Sequence, residues 1–160
     1  MPLISLSDTQ MLIVLFLGSL IIQISGALIA RQIKFDENST KKWLYKTREW
    51  EKQGVFYKKY TFVHKWKKFL PDGARFFKND FRKKHLLAAD REYVEKFIAE
   101  SCRAELAHWL GMLPFILFFV FVYWYVALIM VFYGIIVNLP CIIAQRYNRP
   151  RLKKLLNNLD

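Results

Sequence analysis

Two long apolar runs dominate the pattern of hydrophobic and polar positions along the chain. The first, residues 11–30, reads MLIVLFLGSLIIQISGALIA and contains no charged residue. As a helix rising about 1.5 Å per residue it would measure roughly 30 Å, the thickness of one bilayer core. The residues before it include Asp8 but no Lys or Arg, unlike the basic leader of a cleaved signal peptide. The pattern therefore predicts a retained transmembrane helix.

The second apolar run, residues 110–144, is too long for one straight crossing. A helix of this length would measure about 52 Å, against a bilayer core of about 30 Å. Tyr123, Trp124 and Tyr125 lie near its centre, and such rings favour the membrane–water interface. We therefore expect a helical hairpin that turns at these residues, either crossing the membrane twice or re-entering on one side. A single long helix is the alternative.

The segment between the two runs, residues 31–109, is basic and aromatic. Within it, residues 41–73 interleave many lysines with Trp43, Trp50, Phe56, Tyr60, Val63 and Trp66. The spacing of 56, 60 and 63 is helical and predicts a basic amphipathic helix in the headgroup layer, with packing of the rings against the bundle as the alternative. Gly54 predicts a break between helices, and the LPDG sequence at 70–73 predicts a turn.

A further helix is predicted from an N-cap at Asp90 into the second apolar run, with a kink near Pro114. Its apolar stripe has steps of three and four residues and consists of Val94, Phe97, Ile98, Cys102, Leu106 and Trp109. Glu105 and His108, in the sequence RAELAHW, are three residues apart and so share a face of this helix. They lie immediately before the membrane segment.

Three interpretations of the Glu105 and His108 pair stay open on the pattern alone. His108 could take a proton from a substrate hydroxyl while Glu105 orients the imidazole. A metal site would need a second Glu-x-x-His motif and further carboxylates, and the chain has only three histidines, so we expect no metal. The pair could also serve only as an anchor, together with Arg103 or with lipid headgroups.

The other end of the hairpin carries a second polar group, in the sequence NLPCIIAQRYNRPRL at residues 138–152. Asn138 lies within apolar sequence, where a polar residue is costly and suggests a partner. Gln145, Arg146, Asn148 and Arg149 follow at the predicted interface. Guanidinium groups there can bind a carboxylate, a phosphate or an acyl donor. A purely topological anchor explains the charges but not Asn138.

Composition and charge indicate the class of protein. Of the 160 residues, 54% are hydrophobic, and the formal net charge is +12. These values favour a membrane protein beside anionic lipid over a nucleic-acid-binding protein, for which no motif is present. Residues 31–109 and 145–160 hold most of the positive charge and should lie in the cytoplasm.

We predict an all-α integral membrane protein with a single membrane domain over residues 1–160. It has one N-terminal transmembrane helix, basic cytoplasmic amphipathic helices and a C-terminal transmembrane or re-entrant helical hairpin. The favoured topology has the N-terminus outside and the basic tail, residues 145–160, inside.

Five sequences stand in the order and approximate spacing of one known family: WEKQGVFYKKY, VHKWKKFLPDG, RAELAHW, MLPFILF and NLPCIIAQRYNRPRL. They span about residues 49–152, and the chain resembles the glycosyl-4,4'-diaponeurosporenoate acyltransferase family of staphyloxanthin-type carotenoid synthesis. The resemblance implies a multi-pass enzyme of the bacterial cytoplasmic membrane. It would esterify a sugar hydroxyl of a glycosylated carotenoid, or of a related glycolipid, with a long-chain fatty acyl group.

The residue roles that suit this chemistry are our own inference. His108 and Glu105 are the predicted catalytic residues, and the predicted substrate- or donor-binding residues are Arg103, Asn138, Gln145, Arg146, Asn148 and Arg149. We expect no bound cofactor, and acyl-coenzyme A or an acyl-carrier protein as co-substrate.

The expected partners are membrane lipids and the glycolipid substrate, without nucleic acid. A homo-oligomer or a complex of pathway enzymes is also compatible with the sequence. The alternative function is a non-catalytic membrane scaffold that binds anionic lipids or a membrane partner.

Overall fold

The computed structural model describes residues 7–70 and 91–159, and every regular element in these ranges is a helix. The α-helices are α1 (Asp8–Gln32), α2 (Val55–Tyr60), α3 (Val63–Trp66), α4 (Arg91–Met112), α5 (Phe118–Phe121) and α6 (Trp124–Asn157). The same ranges contain short 3₁₀ helices at Glu37–Lys41, Glu49–Gly54, Lys67–Phe69 and Leu113–Leu117. The predicted all-α fold is confirmed.

Helix α1 has the exposure of a helix that faces lipid. Its N-terminus is closed by a capping box: the Ser7 hydroxyl accepts from the Gln10 amide at 3.4 Å, and the Gln10 side chain accepts from the Ser7 amide at 3.0 Å. Along the helix only two small residues, Gly26 and Ala30, are buried, so most of its large apolar side chains stay uncovered. Such a helix suits a hydrocarbon environment better than water. The predicted span, 11–30, lies within it.

The second apolar run forms a hairpin that turns where the aromatic residues predicted it. Helix α5 ends at Phe121, Val122 is extended, and α6 begins at Trp124. The predicted kink near Pro114 is the 3₁₀ helix Leu113–Leu117. Proline favours this change because it has no amide hydrogen for the α-helical pattern.

The two arms of the hairpin extend beyond the apolar run. Helix α4 already includes Arg91, and α6 continues to Asn157, so the polar residues on both sides of 110–144 belong to the same helices. Among the described residues, three helices are long and apolar enough to cross a membrane: Asp8–Gln32, Arg91–Phe121 and Trp124–Asn157. This finding is compatible with the predicted membrane protein, whereas the direction of each crossing stays a prediction.

The chain divides into two compact units. The first comprises Met1–Ile33 and Arg103–Ile142, and the second comprises Lys34–Cys102 and Ile143–Asp160. In the first unit, a buried core of Phe115, Phe118, Val122 and Ala127 surrounds the hairpin turn, with Met11, Val14, Leu15 and Ile22 of α1 packed against it. The single membrane domain over residues 1–160 stays a prediction.

The core of the second unit is built on the predicted apolar stripe of α4. Val94, Ile98 and Cys102 are buried, and the first two pack against Leu152 and Leu156 of α6. Burying an aliphatic side chain of this size stabilises a fold by about 1.5–3 kcal/mol. The stripe therefore contributes substantially to holding the second unit together.

The segment around residues 55–66 is not the continuous amphipathic helix that the spacing predicted. Helix α2 ends at Tyr60 and α3 begins at Val63, because Phe62 between them has a φ of 50°, outside the right-handed helical region. The break predicted at Gly54 is confirmed by its φ of 86°, which glycine adopts without strain. Residues 71–73 of the predicted turn and the predicted cap at Asp90 lie outside the described residues.

The aromatic side chains between residues 43 and 66 divide between core and surface. A buried cluster of Tyr57, Val63, Ala144 and Tyr147 has Phe56 and Trp66 packed against it. Trp43, Trp50 and Tyr60 remain exposed, at 76%, 53% and 61%. Packing therefore accounts for Phe56 and Trp66, and the position of the exposed rings in the headgroup layer stays a prediction.

Candidate active site

A group of polar side chains lies inside the apolar first unit. It consists of Gln23 from α1, Glu105, His108 and Trp109 from α4, and Asn138 from α6, and we refer to it as the polar cluster. Glu105 and Asn138 are fully buried, at 0% exposure, whereas the other three side chains are partly exposed. Polar groups buried in apolar surroundings are costly unless they are hydrogen-bonded, so their partners show how the cluster is organised.

The carbonyl oxygen of Gly111 joins the three helices of the cluster. Gly111 lies in the last turn of α4, where carbonyl groups lack a partner within the helix. Gln23 Nε2 donates to this oxygen at 3.3 Å, and Asn138 Nδ2 donates to it at 3.2 Å. Side chains of α1 and α6 thereby supply the hydrogen bonds of a carbonyl group that lies just before the irregular backbone around Pro114.

These contacts fix the orientation of the Asn138 amide. Its Nδ2 also donates to the Gly134 carbonyl at 2.9 Å, so both amide hydrogens point at carbonyl oxygens. The Oδ1 atom, 3.0 Å from Nδ1 of His108, therefore acts as the acceptor, and Nδ1 must carry the hydrogen. In the neutral ring, Nε2 of His108 is then left with a lone pair.

Glu105 lies one turn before His108 on the same helix face, and the structure gives it a different partner. Its Oε1 accepts from Trp109 Nε1 at 3.3 Å. Among the described residues, the His108 ring donates its hydrogen bond from Nδ1 to Asn138 Oδ1. Asn138 thus makes the contact with the His108 ring that was predicted for Glu105. The catalytic role of Glu105 and the binding role of Arg103 stay predictions.

Glycines allow the helices to approach each other at the polar cluster. A Cβ on Gly111 would lie 2.6 Å from Gln23 Oε1 and 3.1 Å from Asn138 Oδ1. A Cβ on Gly26 of α1 would lie 2.9 Å from the backbone nitrogen of Gly111. Small residues are the usual means by which helices in lipid come into close contact.

Two of the predicted binding residues, Arg146 and Arg149, have internal partners in the second unit. Arg146 pairs with the buried Glu51 carboxylate at 2.5 Å and also donates to the Leu44 carbonyl. Arg149 is only 2% exposed, and its Nε donates to Ser101 Oγ at 3.0 Å. Both guanidinium groups therefore stabilise this unit, and their roles in substrate or donor binding stay predictions.

Glu51 is the centre of this second network. The Tyr57 hydroxyl donates to Glu51 Oε1 at 2.8 Å. Burial, and then this hydrogen bond to a carboxylate, raise the pKa of Tyr57 well above its ordinary value. The remaining candidates are less enclosed: Asn148 accepts from Lys67 Nζ at 2.8 Å, and Gln145 is partly buried.

Sequence reasoning missed Gln23, Gly111 and Glu51. Gln23 had the same signal as Asn138, a polar side chain inside an apolar run. Gly111 acts through its backbone carbonyl, and Glu51 is one acid within a lysine-rich segment, so neither had a distinguishing pattern. Within the two described ranges, no group of three or more His, Cys, Asp or Glu side chains is placed to hold a metal ion.

The part of the chain that matches a known family includes the polar-cluster residues of α4 and α6 and the basic end of α6. The family model for glycosyl-4,4'-diaponeurosporenoate acyltransferase matches residues 41–158. Proteins with this name from Staphylococcus aureus strain bovine RF122 / ET3-1 and strain MRSA252 are each 39% identical to the chain, over 140 and 144 residues, covering 88% of this chain and 84% of theirs. No solved structure matches.

These matches confirm the family that the sequence motifs indicated and support an enzyme rather than a scaffold. The chain belongs to the glycosyl-4,4'-diaponeurosporenoate acyltransferase family and is an acyltransferase by that membership.

Proposed function

We propose that the protein transfers a long-chain fatty acyl group from a thioester donor to a sugar hydroxyl of a glycosylated carotenoid or a related glycolipid. Its relatives carry the name glycosyl-4,4'-diaponeurosporenoate acyltransferase. The observation that carries the proposal is the 3.0 Å contact between His108 Nδ1 and Asn138 Oδ1 within the apolar first unit. This contact leaves Nε2 as a base suited to a hydroxyl group.

In the proposed reaction, Nε2 of His108 takes the proton of the sugar hydroxyl while the hydroxyl oxygen attacks the thioester carbonyl carbon. The imidazolium that forms keeps its hydrogen bond from Nδ1 to Asn138, and the nearby Glu105 carboxylate would stabilise the positive charge. When the tetrahedral intermediate collapses, the carbon–sulfur bond breaks and the proton passes from His108 to the thiolate. The products are the sugar ester and the free thiol, and the base is regenerated.

Asn138 is a positioning residue in this scheme. Both hydrogens of its amide group are directed at the carbonyl oxygens of Gly111 and Gly134, so they are not aimed at a developing oxyanion. This geometry favours orientation of His108 over direct stabilisation of the oxyanion.

The position of the polar cluster along the hairpin suits an amphiphilic acceptor. His108 and Asn138 each lie about 14 residues from the turn, or about 21 Å along their helices. In a bilayer core about 30 Å thick, they would lie towards the side opposite the turn but still within the apolar layer. A lipid-anchored sugar could reach this depth while its tail stays in hydrocarbon.

We also infer that the enzyme lies in a bacterial cytoplasmic membrane, with the basic segments 31–102 and 145–160 on the cytoplasmic side. Support comes from the positive charge of both segments. The exposed rings of Trp43, Trp50 and Tyr60, together with neighbouring lysines, suit a surface that rests on anionic headgroups.

The proposal is tested by expressing the chain in a bacterium that makes a glycosylated carotenoid and lacks its acylated form. Mass spectrometry of the lipid extract should show a new product heavier by one long-chain acyl group. A matched strain that makes the same carotenoid without the sugar should show no such product, because the accepting hydroxyl is absent. An unchanged glycosylated carotenoid in cells that contain the inserted protein would show that the proposed acceptor is wrong.

A further inference from the structure

A pocket lined by polar residues in the second unit has no part in the chemistry of the polar cluster. Its volume is about 380 Å³, within the range of small-molecule binding sites. The lining residues are Thr40, Lys41, Lys46, Thr47, Gln53 and Lys153. All six belong to the second unit, so the pocket is a feature of that unit alone.

The lining gives this pocket a concentrated positive charge. Three of the six residues are lysines, and the others are two threonines and a glutamine. Like charges gathered around a small volume repel one another, and Lys153 is partly removed from the water that would screen it. An anion bound in the pocket would attract all three lysines and offset their mutual repulsion. Ammonium and hydroxyl groups are also the donors that best suit phosphate oxygens.

The fold holds parts of the pocket wall in place. Thr40 is only 3% exposed. Gln53 has a φ of 54°, a left-handed conformation that is unfavourable for a residue with a side chain. Lys52 before it and Gly54 after it also have positive φ, at 46° and 86°. Such conformations persist only where the surrounding structure imposes them, and they are frequent at ligand sites.

We propose that this pocket binds the phosphate groups of an acyl-coenzyme A donor. The inference rests on the proposed function, which requires a thioester donor, and it selects the nucleotide-bearing class of thioester. Coenzyme A carries a diphosphate and a separate ribose phosphate, which suit a pocket with three ammonium groups. An acyl-carrier protein would instead present a single phosphodiester at the end of a flexible arm.

The test is direct binding of unacylated coenzyme A to the full chain in nanodiscs of neutral lipid, measured by equilibrium dialysis. Coenzyme A should bind, and its affinity should fall as salt is added, because the contacts are between charges. Pantetheine, which has the same thiol arm without phosphates, should not bind measurably. Equal binding of pantetheine and coenzyme A would overturn the proposal.

Two double variants with the same change in charge identify the pocket. Lys41→Gln with Lys153→Gln should weaken coenzyme A binding about tenfold or more, because each charged hydrogen bond contributes appreciably. The control, Lys42→Gln with Lys154→Gln, changes the neighbouring lysines that do not line the pocket and should leave the affinity within about twofold. Lys41→Arg with Lys153→Arg should keep most of the affinity, because both positions keep their positive charge. Equal weakening by both glutamine pairs would overturn the assignment.

Competition distinguishes the sources of phosphate. If a soluble phosphatidylglycerol displaces coenzyme A at lower concentration than coenzyme A itself, the pocket is a lipid headgroup site and the donor assignment is wrong. If acyl transfer proceeds only from acyl-carrier protein, the assignment is also wrong.

Acyl-transfer kinetics separate this inference from the proposed function. If coenzyme A binding depends on Lys41 and Lys153 but no acyl product forms, the pocket assignment stands and the proposed function fails. If acyl transfer proceeds and the KM for acyl-coenzyme A is unchanged in the glutamine pair, the proposed function stands and the pocket assignment fails.

Discussion

At the scale of single residues, Asn138 determines which nitrogen of the His108 ring keeps a lone pair. An asparagine amide has a donor end and an acceptor end, and the carbonyls of Gly111 and Gly134 take the donor end. The acceptor end is left for Nδ1 of His108. A buried carboxylate in the same place would have fixed the same tautomer, but at a greater cost of desolvation in apolar surroundings.

Replacing Asn138 should therefore impair catalysis more than substrate binding. We expect Asn138→Leu, which preserves size, to lower kcat at least about tenfold with little change in the KM for the acceptor, since the ring loses its orientation. Steady-state kinetics in detergent or nanodiscs provide the comparison, with Asn157→Leu at the exposed end of α6 as the control. A higher KM with an unchanged kcat would instead make Asn138 a substrate-binding residue.

Arg146 should contribute chiefly to stability, because its loss would leave the Glu51 carboxylate buried without its cationic partner. We expect Arg146→Met to lower the free energy of unfolding by about 3 kcal/mol or more, and the addition of Glu51→Leu to restore part of this loss. Unfolding in denaturant, followed by circular dichroism, measures both variants. An Arg146→Met variant with full stability but greatly weakened donor binding would show that the ion pair is structurally unimportant.

At the scale of helices, the lengths and compositions of the two apolar runs were sufficient to predict α1 and the hairpin. The apolar runs match the thickness of a bilayer, and the central aromatic residues marked the turn. The break between α2 and α3 could not be predicted in this way. Phe62 adopts a left-handed conformation without the glycine, asparagine or aspartate that usually signals one, so tertiary packing must impose it.

The candidate site, like the helices, could be predicted only in part from the sequence. His108 and Asn138 were apparent because ionisable and polar side chains are conspicuous beside or within apolar sequence. The residue that orients His108 was predicted to be Glu105 rather than Asn138, since helical spacing reveals neighbours on one helix but not contacts between helices. Gly111 was missed because a backbone carbonyl has no residue-type signal.

The contact between α1 and α4 gives a prediction for two glycines on one helix. Gly26→Ala should lower the free energy of unfolding by about 1–3 kcal/mol, because its Cβ would lie 2.9 Å from rigid backbone at Gly111. Gly18→Ala is the matched control and should cost less, since its Cβ would meet the Phe118 ring at 3.1 Å, where a side chain can move. Unfolding in a denaturing detergent compares them. A larger loss for Gly18→Ala would contradict the proposed approach of α1 to α4.

At the scale of the whole molecule, charge along the chain predicts the orientation in the membrane. Single cysteines introduced by Ser7→Cys and Asn158→Cys, in a chain whose two native cysteines are replaced by serine, can be labelled with an impermeant maleimide. In intact cells the label should reach the cysteine at position 7 and reach that at position 158 only after the membrane is opened. The opposite pattern, or equal labelling of both in intact cells, would contradict the orientation.

The most direct test of the central claim is the initial rate of acyl transfer by the purified chain with His108→Gln. Loss of a general base should lower this rate by about 10²–10⁴-fold. His64→Gln makes the same substitution at an exposed histidine of α3 and should leave the rate within about twofold of the unaltered chain. A correctly inserted His108→Gln protein that transfers the acyl group as fast as His64→Gln would contradict the catalytic role of His108.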